Sequence, residues 1–145
     1  MVLDLGAARS GYLLDTSVLS ETRRLRPDPG VIAFLSRMPP DALFLSVLTL
    51  GELHKGVAMK RRSDAAAADA LAAWLEAIET DFADRILPLD PPIARLWGEL
   101  SAQRTLPVVD TLIAATALHH RLTLVTRNVR DVVATGASLL DPFSR

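Results

Sequence analysis

The 145-residue sequence contains no cysteine, which excludes a disulfide framework and any zinc or iron–sulfur site built on thiolates. No apolar run comes near the length of a transmembrane helix, which is about 18 residues. The first residues lack the basic start and the apolar core of a signal peptide. Charge of one sign is also lacking, since 16 basic and 17 acidic residues give a net charge of −1. We therefore expect a cytoplasmic protein without a membrane partner, in which any attraction to nucleic acid comes from local basic patches.

Several motifs that bind cofactors are absent as well. Neither G-x-x-x-x-G-K-[ST] nor G-x-G-x-x-G, which cradle the phosphates of nucleotides, occurs in the sequence. The histidines His54, His119 and His120 do not have the H-E-x-x-H spacing of a zinc helix. A helical surface or a helix C-terminus explains His119 and His120 better than a metal site does.

The composition that remains indicates one globular domain with a substantial core, because half of the residues are apolar. We expect an N-terminal extension at residues 1–11 and a single domain at residues 12–145. Short apolar segments, the strand candidates, alternate with helical segments; these candidates are 12–14, 43–47, 85–89, 122–126 and 138–140. This alternation predicts an α/β fold, an α/β/α sandwich with a central, mainly parallel sheet.

Helix starts are predicted from polar residues that accept backbone N–H groups. Thr49 and Glu52 have the S/T-x-x-E spacing of a capping box, and Asp90 precedes Pro91 as an N-cap precedes N1. Asp110 is expected to open a helix rich in alanine and threonine. Gly136 is expected to end a helical turn that begins at Val129.

Acidic residues recur next to the predicted strands. Asp15 follows the first strand, Glu52 lies in the helix after the second, and Asp110 and Asp131 flank the fourth. Each alone has a plain structural interpretation, as a helix cap or a solvated acid. The carboxyl ends of parallel strands share one edge, however, so these acids are expected to converge there.

Convergence of carboxylates has an energetic consequence. Two of them at about 4 Å repel by about 4 kcal/mol at an effective dielectric near 20, so a cluster either takes up protons or holds a divalent cation. Oxygen ligands without cysteine favour Mg²⁺ or Mn²⁺. Such a cation lowers the pKa of a bound water and neutralises charge on a phosphate, which suits phosphodiester hydrolysis.

Three motifs in order resemble those of PIN-domain ribonucleases, most closely the VapC/FitB-like toxins of type II toxin–antitoxin modules. The motifs lie at residues 13–21, 45–57 and 110–131, and the resemblance extends over about residues 12 to 143. It implies a parallel α/β/α sandwich and Mg²⁺- or Mn²⁺-dependent endonuclease activity on RNA. It also implies inhibition by a small cognate antitoxin protein, homodimers and a higher toxin–antitoxin assembly.

The resemblance also assigns roles to individual residues. Those expected to be catalytic are Asp15, Glu52, Asp110 and Asp131, and the first three match the family's acidic metal ligands. Polar side chains expected to line the pocket are Thr16, Ser17, Thr126 and Asn128. Basic residues expected to contact RNA weakly are Arg23, Arg24, Lys60, Arg61 and Arg127. Two departures are Asn128, where many members carry aspartate directly after the Thr-Arg pair, and Ser17, where asparagine is frequent.

Two alternative classes of function stay open. One is a non-catalytic binding module on the same fold, in which the acids hold a structural ion or an arginine of a protein partner. The other is a receiver-like phosphoacceptor built around Asp15. The usual lysine after a late strand is missing for that class, because the only lysines are Lys55 and Lys60 and Arg127 follows Thr126.

Overall fold

A computed structural model describes residues 11–145, so the predicted extension lies outside the described residues except for Gly11. The strands are β1 (Tyr12–Leu14), β2 (Leu43–Ser46), β3 (Ile86–Leu87), β4 (Thr123–Val125) and β5 (Leu139–Leu140). The helices on the first half of the chain are α1 (Thr16–Glu21), α2 (Pro29–Arg37), α3 (Val47–Arg61) and α4 (Ala65–Asp81). Those on the second half are α5 (Pro91–Gln103), α6 (Val108–His120) and α7 (Val129–Val132). Short 3₁₀ turns occupy Pro40–Ala42 and Val133–Thr135.

The five strands form one sheet in the order β3-β2-β1-β4-β5, and every neighbouring pair is parallel. The central strand β1 pairs on both sides, with Leu13 opposite Phe44 of β2 and Leu124 of β4. The predicted α/β class with a parallel sheet is therefore confirmed, and the expected edge strand at 138–140 is β5. β3 is shorter than the predicted segment 85–89.

Apolar side chains cover both faces of the sheet because successive residues of a strand point to opposite sides. Leu13 and Leu124 belong to one buried cluster with Ile113 of α6. Leu14 and Val125, the next residues along the same strands, belong to a second buried cluster with helices α1 to α4. Helices thus flank the sheet on both sides, as the near-continuous apolar strands predict.

Two predicted helix starts are wrong. The predicted capping box at residues 49–52 does not form, because α3 begins earlier, at Val47. The hydroxyl of Ser46, the last residue of β2, accepts the N–H of Leu48 at 3.0 Å. Asp110 does not open α6 either. That helix begins at Val108 after Pro107, so Asp110 lies in its first turn.

Other helix signals behave as predicted. Asp90 caps α5 by accepting the N–H of Ile93 at 3.3 Å. Gly136 ends the turn after α7 with a φ of 80°, in the left-handed region that glycine adopts without strain. None of the helices within residues 11–145 is long and apolar enough to cross a membrane.

Candidate active site

The carboxyl ends of β1, β2 and β4, here called the acidic edge, bring together residues from distant parts of the chain. Asp15 follows β1 directly, and its backbone N–H donates to the carbonyl of Val125 in β4 at 2.9 Å. Thr126 follows β4, and both Asp15 and Thr126 are buried. The parallel pairing of β1 and β4 therefore sets these two side chains next to each other.

The Asp15 side chain is held by hydroxyl groups of other residues. Its Oδ2 accepts from the Ser17 Oγ and from the Thr126 Oγ1, each at 2.9 Å. Asp15 occupies the N-cap position of α1, yet its side chain accepts no N–H of that helix. The capping interpretation of Asp15 therefore does not account for this carboxylate, which is turned toward the end of β4.

A narrow recess at the acidic edge contains half of the eight acidic and polar residues predicted for the site. We call it the acidic recess, and its lining is Asp15, Asp110, Thr126 and Asn128 with the apolar side chains Ile113, Leu124 and Val132. Thr126 links the two sides of this recess, because its hydroxyl donates to Asp15 and accepts the backbone N–H of Asn128 at 3.0 Å. The structure thus places carboxylate, hydroxyl and amide groups around one opening.

The pKa of Asp110 reflects the burial and the negative charge at the acidic recess. Partial burial raises the pKa of its carboxyl, and the negative charges of Asp15, Asp131 and Glu52 raise that pKa further. Burial and like charges both disfavour the ionised form. The other three predicted acids therefore lie close enough to Asp110 to act on its charge, although the four come from separate segments of the chain.

Glu52 lies beside the acidic recess and not in its lining. Its Oε1 accepts from the Thr16 Oγ1 at 2.6 Å, which fixes the carboxylate against the start of α1. Both residues line an adjacent cleft of about 300 Å³, which also contains Arg23 and Arg24. Because α3 begins at Val47, Glu52 is the sixth residue of this helix, one turn further along than the capping-box prediction placed it.

The donor set at the acidic recess suits a hard divalent cation. No group of three or more His, Cys, Asp or Glu side chains in the described part of the chain is arranged to hold a metal ion by itself. Mg²⁺, however, commonly takes one or two carboxylates and keeps several waters. Two carboxylates with a hydroxyl and an amide oxygen nearby fit that pattern, and thiolate or imidazole ligands are not among the residues that line the recess.

The basic residues singled out from the sequence separate into two groups. Arg23, Arg24 and Arg127 lie at the acidic edge: the first two line the cleft with Glu52, and the backbone N–H of Arg127 donates to the Ser17 Oγ at 3.3 Å. Lys60 and Arg61 lie eight or nine residues beyond Glu52 on α3, about 12 Å or more along the helix axis. This second group is therefore remote from the recess, and the charge of Arg61 is paired with Asp69 at 2.8 Å.

None of the three histidines lines the acidic recess. His54 pairs with Glu79 of α4 through its Nε2 at 2.7 Å on the protein surface. His119 and His120 end α6, where their rings contact each other edge to face at 4.8 Å. The helix-end interpretation of His119 and His120 is in keeping with these positions.

Sequence reasoning missed Asp28 and Phe143. Asp28 caps α2 and also accepts the backbone N–H of Ser144 at 2.9 Å, so it joins the C-terminal segment to this helix. The Asp28-Pro29 pair is the same N-cap signature that identified Asp90, and it was available in the sequence. No sequence signal indicates that Phe143 lies beneath Arg127, with the guanidinium carbon 4.5 Å from the ring centre.

Comparison with known proteins agrees with this geometry. The family model for the PIN domain matches residues 12–133. Toxin FitB of Neisseria gonorrhoeae is 34% identical over 137 residues, which cover 90% of this chain and 97% of that protein. The crystal structure of FitAcB from the same organism superposes with a TM-score of 0.83 at 34% identity, covering 90% of this chain and 97% of that one.

Two further relatives extend the comparison. The VapC ribonuclease Y4jK of Sinorhizobium fredii is 31% identical over 144 residues, covering 90% of this chain and 96% of that protein. A toxin–antitoxin complex from Klebsiella pneumoniae contains a chain with a TM-score of 0.65 at 26% identity, covering 93% of this chain and all of that one (100%). Relatives of this chain have thus been named as ribonucleases and crystallised in a toxin–antitoxin complex.

Proposed function

The chain belongs to the PIN-domain family, and from this premise we propose that it is an endoribonuclease that hydrolyses RNA phosphodiester bonds with Mg²⁺ or Mn²⁺, as the toxin of a toxin–antitoxin module. One observation carries the proposal. Asp15 and Asp110, which are 95 positions apart in sequence, line the same recess at the carboxyl edge of a parallel sheet. The Asp15 carboxylate accepts from two hydroxyl groups and from no backbone N–H of α1, so it does not act as a helix cap.

Asp15 and Asp110 are the proposed direct ligands of the cation, and Glu52 is the proposed third. Bound there, a divalent cation supplies Lewis-acid chemistry, because it acidifies a water molecule and offsets the charge that develops on the scissile phosphate. The raised pKa of Asp110 supports this assignment. A carboxyl that burial and three neighbouring acids disfavour as an anion gains most from a positive charge beside it.

The remaining polar residues orient the acids. Ser17 and Thr126 fix the Asp15 carboxylate with two hydroxyl donors, so this group does not have to be ordered when substrate arrives. Thr16 does the same for Glu52. We assign Asn128, in the lining of the recess, and Asp131, whose charge acts on Asp110, to positioning water or phosphate at its outer side.

A cognate antitoxin protein is the proposed partner, with homodimers and a larger toxin–antitoxin assembly, acting in the cytoplasm where RNA is accessible. The name of the FitB relative and the crystallised complex from Klebsiella pneumoniae support this role. These observations concern the relatives themselves. For this chain it becomes testable by co-expression with a candidate inhibitor.

The proposal is tested by incubating the purified chain with single-stranded RNA in Mg²⁺, in Mn²⁺ and in EDTA. Cleavage is expected with either cation and is expected to stop in EDTA. Asp15→Asn and Asp110→Asn are each expected to abolish cleavage, whereas the matched control Asp41→Asn, an exposed acid in the 3₁₀ turn before β2, keeps it. A folded wild-type chain that binds RNA but does not cleave it with either cation would instead support the non-catalytic binding module.

A further inference from the structure

Two arginines at the acidic edge rest on aromatic rings. The guanidinium carbon of Arg127 lies 4.5 Å from the ring centre of Phe143, and that of Arg23 lies 5.6 Å from the ring centre of Trp74. Neither arginine forms an ion pair within residues 11–145, whose described ion pairs involve other cations. An aromatic face holds a guanidinium without using its N–H groups, so these donors remain available to an anion.

Arg127 is joined to the acidic recess through its backbone. Its neighbours in sequence, Thr126 and Asn128, both line the recess. Its own N–H donates to the Ser17 Oγ, the same hydroxyl that donates to Asp15. The main chain of Arg127 is therefore fixed beside the proposed cation site, while its side chain extends over Phe143.

The C-terminal segment holds Phe143 in place. Asp28 Oδ1 accepts both the backbone N–H of Ser144 at 2.9 Å and the Ser144 Oγ at 3.1 Å. Gly30 allows this close approach, because a Cβ there would lie 2.3 Å from the carbonyl oxygen of Pro142. Phe143 is only 9% exposed and packs in the same buried cluster as Leu14 and Val125, so neighbouring side chains restrict its ring.

Arg23 and Arg24 are adjacent in sequence and line the same cleft, yet they differ in their partners. Arg24 is paired with Glu21 at 3.7 Å, so part of its charge is neutralised. Arg23 has the indole of Trp74 in place of a carboxylate. The contrast indicates that the cleft presents one guanidinium that forms no ion pair among the described residues.

We propose that Arg127 and Arg23, mounted on Phe143 and Trp74, bind backbone phosphates of the RNA strand on the two flanks of the acidic edge. The inference rests on the proposed ribonuclease function and adds the residues that position the substrate. An acidic recess repels a polyanion, so the strand needs fixed positive charge close by. Phe143 and Trp74 are positioning residues in this arrangement, because they act on RNA only through the arginines.

The test measures RNA affinity separately from cleavage. In the Asp110→Asn background, binding of a labelled single-stranded RNA is followed by fluorescence anisotropy over a range of salt concentrations. Arg127→Ala is expected to lower the slope of log affinity against log salt by about 0.7, the value for one phosphate contact on a single strand. Phe143→Leu keeps the charge and is expected to weaken binding about two- to fivefold, the usual range for a cation–π contact at an exposed site.

A double substitution separates positioning from general destabilisation. If Phe143 acts through Arg127, Phe143→Leu adds nothing once Arg127 is alanine, so the two effects are not additive. Trp74→Leu is expected to behave in the same way toward Arg23. In the cleaving wild-type background, Phe143→Leu is expected to raise KM and leave kcat unchanged.

Phe82→Leu is the matched control. Phe82 is also 9% exposed and also lies under an arginine, Arg85, at 4.7 Å, but Arg85 donates to the carbonyls of Leu43 and Asp81, away from the acidic recess. This variant is expected to lose stability and to keep RNA affinity. Equal loss of affinity in Phe82→Leu and Phe143→Leu, or an unchanged salt slope in Arg127→Ala, overturns the inference and leaves these arginines to another partner.

Cleavage by the wild-type chain tests the ribonuclease function separately from the phosphate contacts. If the wild-type chain cleaves RNA and substitutions at Arg23, Arg127, Trp74 and Phe143 leave KM unchanged, the ribonuclease function stands and only the phosphate contacts are overturned. A wild-type chain that does not cleave overturns the ribonuclease, while the anisotropy measurements still decide whether Arg23 and Arg127 bind RNA.

Discussion

Replacement of Thr126 by valine removes one hydroxyl with little change in shape, at a residue that is 2% exposed. The hydroxyl donates to the Asp15 carboxylate at 2.9 Å and accepts the Asn128 N–H at 3.0 Å. A hydrogen bond to a charged group contributes about 1.5–3 kcal/mol and a neutral one about 0.5–1.5 kcal/mol. We therefore expect Thr126→Val to lower the free energy of unfolding by about 2–4.5 kcal/mol. A typical domain has a free energy of unfolding of about 5–15 kcal/mol, so the variant is expected to remain folded.

Urea denaturation and RNA cleavage measure the two consequences of this substitution. Because Asp15 keeps only the Ser17 hydroxyl, its carboxylate is less well oriented, and cleavage is expected to fall even where the variant is fully folded. The control is Thr116→Val, another fully buried threonine, whose hydroxyl donates to the Leu112 carbonyl of its own helix at 2.8 Å. Loss of that local bond is expected to lower stability by about 1 kcal/mol or less.

The reasoning fails if the two valine variants lose equal stability, because the charged partner of Thr126 would then contribute nothing. It also fails if folded Thr126→Val cleaves RNA at the wild-type rate. In that case the hydroxyl bridge between Asp15 and Asn128 would be structural only.

The remaining predictions concern three acids. Asp110→Asn is expected to raise the stability of the metal-free chain at neutral pH by less than about 1 kcal/mol, because the side chain is partly solvated. The raised pKa of Asp110 favours the native state below the usual aspartate pKa, and this contribution is lost as pH rises and the carboxyl ionises. Calorimetry in EDTA checks this prediction, and added Mg²⁺ should make the wild type more stable than the variant. The Ser144 N–H, then its hydroxyl and the N–H groups that begin α2, hold the pKa of Asp28 below its usual range, so the clamp on the C-terminal segment is present above that range and is lost as pH falls through the lowered pKa. The Ser144 amide NMR shift should follow this titration, and Asp28→Asn should abolish it. Glu52→Gln is expected to reduce cleavage with a stability change within about 0.5 kcal/mol, as for other exposed positions, and unchanged cleavage would remove Glu52 from the proposed ligands.

The positions of the strands along the chain and the acids that follow them could be predicted because both are local signals. A short apolar strand followed by Asp15, and another followed by Thr126, indicate which end of the sheet carries polar groups. Parallel pairing then brings those ends together, whatever the sequence separation. The α/β class and the side of the sheet that holds the candidate site follow from this reasoning.

Two helix starts, those of α3 and α6, were less predictable because two signals competed at each of them. The Thr49–Glu52 spacing fits a capping box, but the strand–helix junction at Ser46 lies one turn earlier and supplies its own hydroxyl acceptor. At α6, Pro107 precedes the helix and shifts Asp110 into the first turn. Both shifts alter the height of an acid along its helix, and so its distance from the recess.

The individual hydrogen bonds between residues far apart in sequence could not be predicted. The Thr126–Asp15 hydrogen bond joins residues 111 positions apart, and the Asp28–Ser144 bond joins residues 116 positions apart. Neither pair has a sequence signature, because tertiary structure alone creates the contact. The orientation of Asp15 and the platform under Arg127 therefore required coordinates.

Binding of Mn²⁺ to the purified chain, followed by the electron paramagnetic resonance signal of the free ion, tests the central claim most directly. We predict saturable binding to the wild-type chain that is lost in Asp15→Asn and in Asp110→Asn, and retained in Asp41→Asn. Wild-type binding that persists unchanged in both variants, or a folded wild-type chain that binds no Mn²⁺, would contradict the assignment of the cation to this recess.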